Sequence, residues 1–99
     1  MDGTDEETRA VIHVRGRVQG VGFRWWARAR ALELGLVGSA RNLPDGRVEL
    51  TAQGQREQVE RLRALLEEEP SSASRPGRVE GATISWHEPR DGVTGFTAG

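Results

Sequence analysis

The chain has 99 residues, enough for one domain with a single core, and its net charge of −1 provides no overall positive field for binding nucleic acid. No apolar run approaches the roughly 18 residues that a membrane span needs, so we expect no membrane segment. Cysteine and lysine are both absent, which excludes disulfides, thiolate ligands, a cysteine nucleophile and Schiff-base lysines, and the lack of cysteine fits a cytoplasmic location.

The beginning of the chain predicts a polar tail followed by a strand. Residues 1–8 are largely polar, and four of the eight are acidic; we expect them to form a flexible tail that leaves residues 9–99 as a single domain. The alternating run from Ala10 to Val14 is typical of a strand with one buried face. We expect Gly16 to end this strand.

Two segments have the spacing of helices with one apolar face. The first begins at Phe23 and ends near Gly35, and its apolar residues recur every three or four positions: Phe23, Trp26, Ala27, Ala31 and Leu34. The second lies within residues 55–69, and its apolar face is formed by Val59, Leu62, Leu65 and Leu66.

The remaining segments predict strands and turns. Asp45 and Gly46 stand between two alternating runs, which is a strong hairpin signal and places strands at about residues 36–43 and 47–53. The segment PSSASRPG is a loop by composition. The segment RVEGATISWHEP alternates like a strand, and a short edge strand is expected around residues 94–97.

The predicted order of elements is β-α-β-β-α-β. This order indicates an α+β fold, the ferredoxin-like split βαβ sandwich, in which an antiparallel four-stranded sheet carries two helices on one face. A short fifth strand would lie at the edge of the sheet. The fold alone indicates no function.

The stretch GRVQGVGFR, residues 16–24, joins the first strand to the first helix. Its glycines permit backbone angles that let successive N–H groups converge, and the helix start adds further unpaired N–H groups and a positive dipole end. Arg24 in the first turn is disfavoured by that dipole unless an anion lies between them. The stretch matches neither GxGxxG nor GxxxxGK[ST], so a plain structural turn is the alternative to an anion site.

Asn42 ends the second predicted strand, just before the hairpin turn. Taken alone it is read most simply as a turn asparagine that bonds its own backbone. Together, however, GRVQGVGFR and the later GLVGSARNLPDGRVEL resemble the signature of the acylphosphatase family, which combines a G-x-V-Q-G-V-x-F-R loop with a G-x-x-x-N-x-x-D-G-x-V hairpin. The resemblance covers essentially the whole chain, and that family has the ferredoxin-like fold.

The resemblance implies an enzyme that hydrolyses the carboxyl-phosphate bond of acyl phosphates to a carboxylate and inorganic phosphate. Arg24 would bind the phosphate, and Asn42 would orient the attacking water. The backbone amides that would hold the other phosphate oxygens belong to Gln19, Gly20, Val21, Gly22 and Phe23. The resemblance implies no metal and no organic cofactor. We also expect phosphate as both product and competitive inhibitor, no nucleic-acid partner and a monomer, although the sequence itself leaves the oligomeric state open.

Two other classes of protein are alternatives to an acylphosphatase. One is a catalytically silent phosphate-binding module of the same fold. The other is an RNA-binding domain, which shares the element order but reads RNA with aromatic side chains on its two central strands. The segments AVIHV and RVELTA, expected at those positions, carry no Phe, Tyr or Trp. His13 and His87 are scattered, and we expect structural roles for both.

The sequence does not settle the packing under the second strand, the effect of the polar loop before the fourth strand, or the roles of three arginines. Ser39 and Ala40 are smaller than the residues that the family usually has there, which questions the packing under the second strand. The polar loop before the fourth strand is longer than usual. Arg15, Arg17 and Arg41 flank the expected site and serve either solubility or attraction of anionic substrates.

Overall fold

The computed structural model describes residues 6–99 and has the expected order of elements. The bounds are β1 Glu7–Arg17, α1 Phe23–Glu33, β2 Val37–Asn42, β3 Val48–Gln55, α2 Arg56–Glu67, β4 Arg78–His87 and β5 Phe96–Ala98. Most of the expected tail, residues 1–5, lies outside the described residues. Its last two residues, 7 and 8, belong to β1, so the sheet begins earlier than expected.

The sheet has five strands in the order β4-β1-β3-β2-β5. The pairs β1–β3, β1–β4 and β2–β3 are antiparallel, whereas β5 runs parallel to β2 at the edge. This confirms the ferredoxin-like α+β fold and its short fifth strand. Within residues 6–99 no helix is long and apolar enough to cross a membrane.

The core lies between one face of the sheet and the two helices. Ala10, Ile12 and Val14 of β1 are fully buried, as the alternation predicted, and every second residue of β3 from Val48 to Ala52 is buried beside them. The helices contribute the residues Phe23, Trp26, Ala27, Ala31, Val59, Leu62 and Leu66. This arrangement leaves the opposite face of the sheet to polar side chains.

Gly16 does not end β1, and that expectation was wrong. The strand continues to Arg17 through a bulge between Arg15 and Gly16, where Gly16 pairs with Val79 of β4. Gly16 has a φ of 134°, and a Cβ there would lie 2.8 Å from the backbone nitrogen of Glu80. Glycine is therefore needed because the neighbouring strand approaches closely, and not because the strand stops.

Small residues suit β2. Ala40 is buried opposite Leu50, and Gly38 lies opposite Phe96 of β5. Phe96 is itself buried, and its carbonyl oxygen accepts a 2.8 Å hydrogen bond from Nε of Arg28 on α1. The phenyl ring supplies apolar volume to the core at the sheet edge.

The polar loop between α2 and β4 is held by long-range hydrogen bonds. The indole N–H of Trp26 donates to the carbonyl oxygen of Ala73 at 2.7 Å. Arg75, whose side chain is only 4% exposed, donates from one nitrogen to the carbonyl oxygens of Leu65, Leu66 and Glu68 at the end of α2. A cation at a helix C-terminus satisfies its last carbonyls and offsets the negative end of its dipole.

Candidate functional site

The glycine-rich loop, residues 18–22, connects the end of β1 to the start of α1. Gly20 and Gly22 have φ values of 74° and 85°, which favour glycine. Gly22 is the N-cap of α1, makes no side-chain cap, and is followed by a first turn that contains no acidic residue. Within residues 6–99 the backbone N–H groups of residues 19–25 have no hydrogen-bond acceptor, so the helix start presents several free donors.

Arg24 is the second residue of α1 and is half-buried. Among the described residues its guanidinium has neither a hydrogen-bond acceptor nor an ion-pair partner. Two other arginines of the same helix are engaged, because Arg28 donates to the carbonyl of Phe96 and Arg30 forms two hydrogen bonds with Glu33. A cation beside free N–H groups at a helix start forms an anion-binding arrangement.

Asn42 is the last residue of β2 and is exposed. It pairs with Val48 of β3, which in turn pairs with Val14 of β1, so the three residues form one row across the sheet. The turn that follows, residues 43–47, closes with a hydrogen bond from the amide of Leu43 to the carbonyl of Arg47 at 2.8 Å. Asn42 is thus placed at the boundary between the sheet and the turn.

The side chain of Gln19 joins the loop to the turn, a role that the sequence does not indicate. Gln19 was expected to contribute only its backbone amide. Its side-chain Nε2 donates to the carbonyl oxygens of Leu43 at 2.8 Å and Arg47 at 2.9 Å. The structure therefore brings the Gln19 end of the loop next to the turn that follows Asn42. A glutamine in a glycine-rich loop signals two N–H donors, but the sequence does not indicate which carbonyls they reach.

Arg41 is engaged on the face of the sheet that lies away from the helices. His13, Glu49 and Arg41 form a row across β1, β3 and β2, in which Arg41 donates to Glu49 at 2.8 Å and His13 lies 3.0 Å from the same carboxylate. The hydrogen bond from Arg41, followed by that from His13, lowers the pKa of Glu49. This row includes His13 in a structural contact.

The other flanking arginines and His87 have separate positions. Arg15 lies 3.9 Å from Glu80 in an exposed ion pair, and Arg17 is exposed at the end of β1. His87 is within hydrogen-bond distance of the Ser85 hydroxyl. No group of three or more histidine, cysteine or acidic side chains within residues 6–99 is arranged to hold a metal.

These features define the class of protein as a ferredoxin-like α+β domain with a candidate anion site. The candidate site comprises the glycine-rich loop and the start of α1, and the Gln19 end of the loop lies next to the turn that follows β2. The central strands of the sheet are β1 and β3, the positions at which an RNA-binding domain of this fold would carry aromatic side chains. Neither strand carries a Phe, Tyr or Trp.

Comparison with known proteins identifies the family. The acylphosphatase family model matches residues 10–98. A protein named acylphosphatase from Acidothermus cellulolyticus is 59% identical over 92 residues, which cover 93% of this chain and 87% of that protein. The crystal structure of acylphosphatase from Bacillus subtilis is 26% identical with a TM-score of 0.78, and the match covers 92% of this chain and 97% of that one. An acylphosphatase structure from Coxiella burnetii is 34% identical with a TM-score of 0.77, covering 93% and 92%.

The chain therefore belongs to the acylphosphatase family. The resemblance inferred from the two sequence motifs is confirmed, and so is the enzyme class, acylphosphatase. The fold expected from the pattern of elements is the fold of the two solved acylphosphatases.

Proposed function

We propose that this chain hydrolyses acyl phosphates to a carboxylate and inorganic phosphate at the site formed by Arg24, the glycine-rich loop and Asn42. One observation carries the proposal: Arg24, without a partner among the described residues, stands beside a helix start that has free N–H donors and no carboxylate. Positive charge accumulates there unless a dianion such as phosphate occupies the position.

Phosphate binding is the first role of the site. The guanidinium of Arg24 donates to two phosphate oxygens, and the remaining oxygens accept from the loop amides between Gln19 and Phe23. Charge-assisted hydrogen bonds of this kind contribute about 1.5–3 kcal/mol each. Because these donors are fixed before the substrate arrives, they also stabilise the charge that develops on the phosphoryl oxygens during transfer.

Asn42 has the second role, which is to orient the attacking water. An amide does not accept a proton at neutral pH, so Asn42 fixes the water by hydrogen bonding and the proton passes to a phosphate oxygen. The leaving carboxylate is a weak base and requires little general-acid help. Positioning and electrostatic stabilisation are then sufficient for the reaction, without a general base.

The test is hydrolysis of benzoyl phosphate by the parent chain and by Arg24→Ala and Asn42→Ala. Removing one preorganised donor from such a site lowers kcat by about 10²–10³-fold, and we expect losses of that order in both variants. Arg24→Ala should also weaken competitive inhibition by inorganic phosphate, whereas Asn42→Ala should leave it nearly unchanged.

The matched control is Arg61→Ala, which removes an arginine whose side chain is 64% exposed on α2. Its activity should equal that of the parent. Phosphate binding by a parent chain that does not turn over benzoyl phosphate would favour the silent binding module instead. Full activity of Asn42→Ala would contradict the water-orienting role.

The proposal includes phosphate as product and competitive inhibitor, a monomeric state and a cytoplasmic location. Sedimentation of the purified chain and fractionation of the source cells would test the last two predictions.

A further inference from the structure

We propose that the side chain of Gln19 is a positioning residue that holds the turn after β2 against the glycine-rich loop and thereby sets the position of Asn42. This inference rests on the proposed function of Asn42 and adds a residue that acts through it. We call the two hydrogen bonds from Gln19 Nε2, to the carbonyl oxygens of Leu43 and Arg47, the Gln19 bridge.

The two acceptors of the Gln19 bridge are the carbonyls that close the turn. The carbonyl of Arg47 accepts from the amide of Leu43 at 2.8 Å, and the carbonyl of Leu43 accepts from the amide of Gly46 at 3.1 Å. Each carbonyl oxygen has two lone pairs, so the bridge supplies a second hydrogen bond to each. One NH₂ group, with two hydrogens, thus matches both ends of the turn.

The bridge is the cross-connection between the turn and the loop. Asn42 is the last residue of β2 that pairs with β3. Beyond it, the other described hydrogen bonds of the turn are internal, including two from Arg47 to the Asp45 carboxylate. Without the bridge, Asn42 would keep its pairing with Val48 of β3 and the turn would keep its internal hydrogen bonds, but no described hydrogen bond would tie the turn to the loop.

This placement separates two functions of one residue. The backbone amide of Gln19 belongs to the proposed phosphate-binding set, whereas its side chain faces the turn. Replacing the side chain keeps the backbone donor. A loss of the bridge should therefore disturb water orientation more than phosphate binding, and a misplacement of catalytic groups by about 1 Å is enough to lower the rate strongly.

The kinetic test uses Gln19→Met, which keeps the length of the side chain without its donors, and Gln19→Glu, which keeps the shape but presents a carboxylate to two carbonyls. For both we expect kcat on benzoyl phosphate to fall about tenfold or more, with KM and the phosphate inhibition constant changed less than threefold. In the Asn42→Ala background, Gln19→Met should cause little further loss. Gln58→Met on α2 is the matched control and should behave like the parent.

Two kinetic outcomes would overturn the proposal. A higher phosphate inhibition constant with unchanged kcat would overturn the proposal, because Gln19 would then shape the phosphate site itself. Multiplicative losses in the double variant would also overturn it, since Gln19 would act independently of Asn42.

A second measurement does not depend on activity. Amide hydrogen exchange at Leu43 and Gly46, which donate the two backbone–backbone hydrogen bonds of the turn, should be at least threefold faster in Gln19→Met than in the parent. Unchanged exchange would refute the bridge even if the parent is active. If the parent does not hydrolyse acyl phosphates, the proposed function fails and the exchange rates alone decide whether the bridge holds the turn.

Discussion

Replacing Gly77 by alanine should distort the glycine-rich loop, because the added Cβ would press on the end of β1 and on Val21 of the loop. Gly77 lies just before β4 with a φ of 73°, and a Cβ there would overlap the carbonyl oxygen of Arg17, the last residue of β1. It would also come within 3.0 Å of Cγ2 of Val21, in the middle of the loop. Because Arg17 offers a backbone atom and not a flexible side chain, the overlap can only be relieved by moving one of the two chain segments.

The expected destabilisation has two parts. An alanine in the left-handed region costs about 1–2 kcal/mol. The steric overlap adds about 1–3 kcal/mol, which is typical of forcing an additional carbon into a filled space. The free energy of unfolding should therefore fall by about 2–5 kcal/mol, and inhibition by phosphate should weaken because the loop amides are displaced.

Gly92→Ala is the matched control for this prediction. Gly92 has a φ of 79°, but a Cβ there would meet nothing within 4 Å, so only the conformational cost applies. Urea denaturation of both variants, with the phosphate inhibition constant measured for each, separates the two parts. Equal destabilisation of Gly77→Ala and Gly92→Ala would refute the reasoning, as would an unchanged phosphate inhibition constant in Gly77→Ala.

Two further predictions concern charged contacts. The pKa of Glu49 is held below its ordinary value of 4.5, first by Arg41 and then by His13, so its carboxylate stabilises the fold above that value and the contribution is lost as the pH falls through the lower, folded pKa. The stability difference between the parent and Glu49→Gln should be only about 1 kcal/mol at pH 6, because Arg41 is solvent-exposed and the pair is screened. It should shrink toward zero at lower pH as the carboxylate is protonated; a pH-independent difference in thermal melts would contradict this. Arg75→Met should lower the free energy of unfolding by about 2–4 kcal/mol, since it removes the donor to three helix-end carbonyls; a cost in urea denaturation no greater than that of Arg61→Met would disprove it.

The fold could be predicted from the sequence because its core is patterned along the chain. Burial on one face produces a period of two in β1 and of 3.6 in the helices, and these periods are visible without knowing the partners of each element. Gly16 is a position whose role does not follow from the periodic pattern. The sequence shows that Gly16 is a glycine and so can adopt unusual backbone angles. Why a glycine is needed there depends on the close approach of β4, which is more than sixty residues away.

The candidate site also has parts that local sequence predicts and parts that depend on distant residues. The free donors at the start of α1 and the cation Arg24 follow from local sequence, since helix starts always leave N–H groups unpaired. The side-chain role of Gln19 depends on two carbonyls that are 24 and 28 residues away. Similarly, the composition of the loop before β4 indicated a turn, but not that Trp26 and Arg75 would fix it to α1 and α2.

The glycine-rich loop is held by its non-glycine residues. A Cβ at Gly20 or Gly22 would meet no atom within 4 Å, so these positions give the backbone its shape but no packing that would keep it. Packing comes from Val18, which is buried in the core at 1% exposure. Val21 is exposed and lies beside Gly77, where an added Cβ would come to 3.0 Å from its Cγ2. Gln19 adds hydrogen bonds to the turn after Asn42. Because the glycines lower the cost of an unusual backbone path and the side chains of Val18 and Gln19 restrict that path, the proposed phosphate donors can be fixed before substrate binds, which electrostatic catalysis requires.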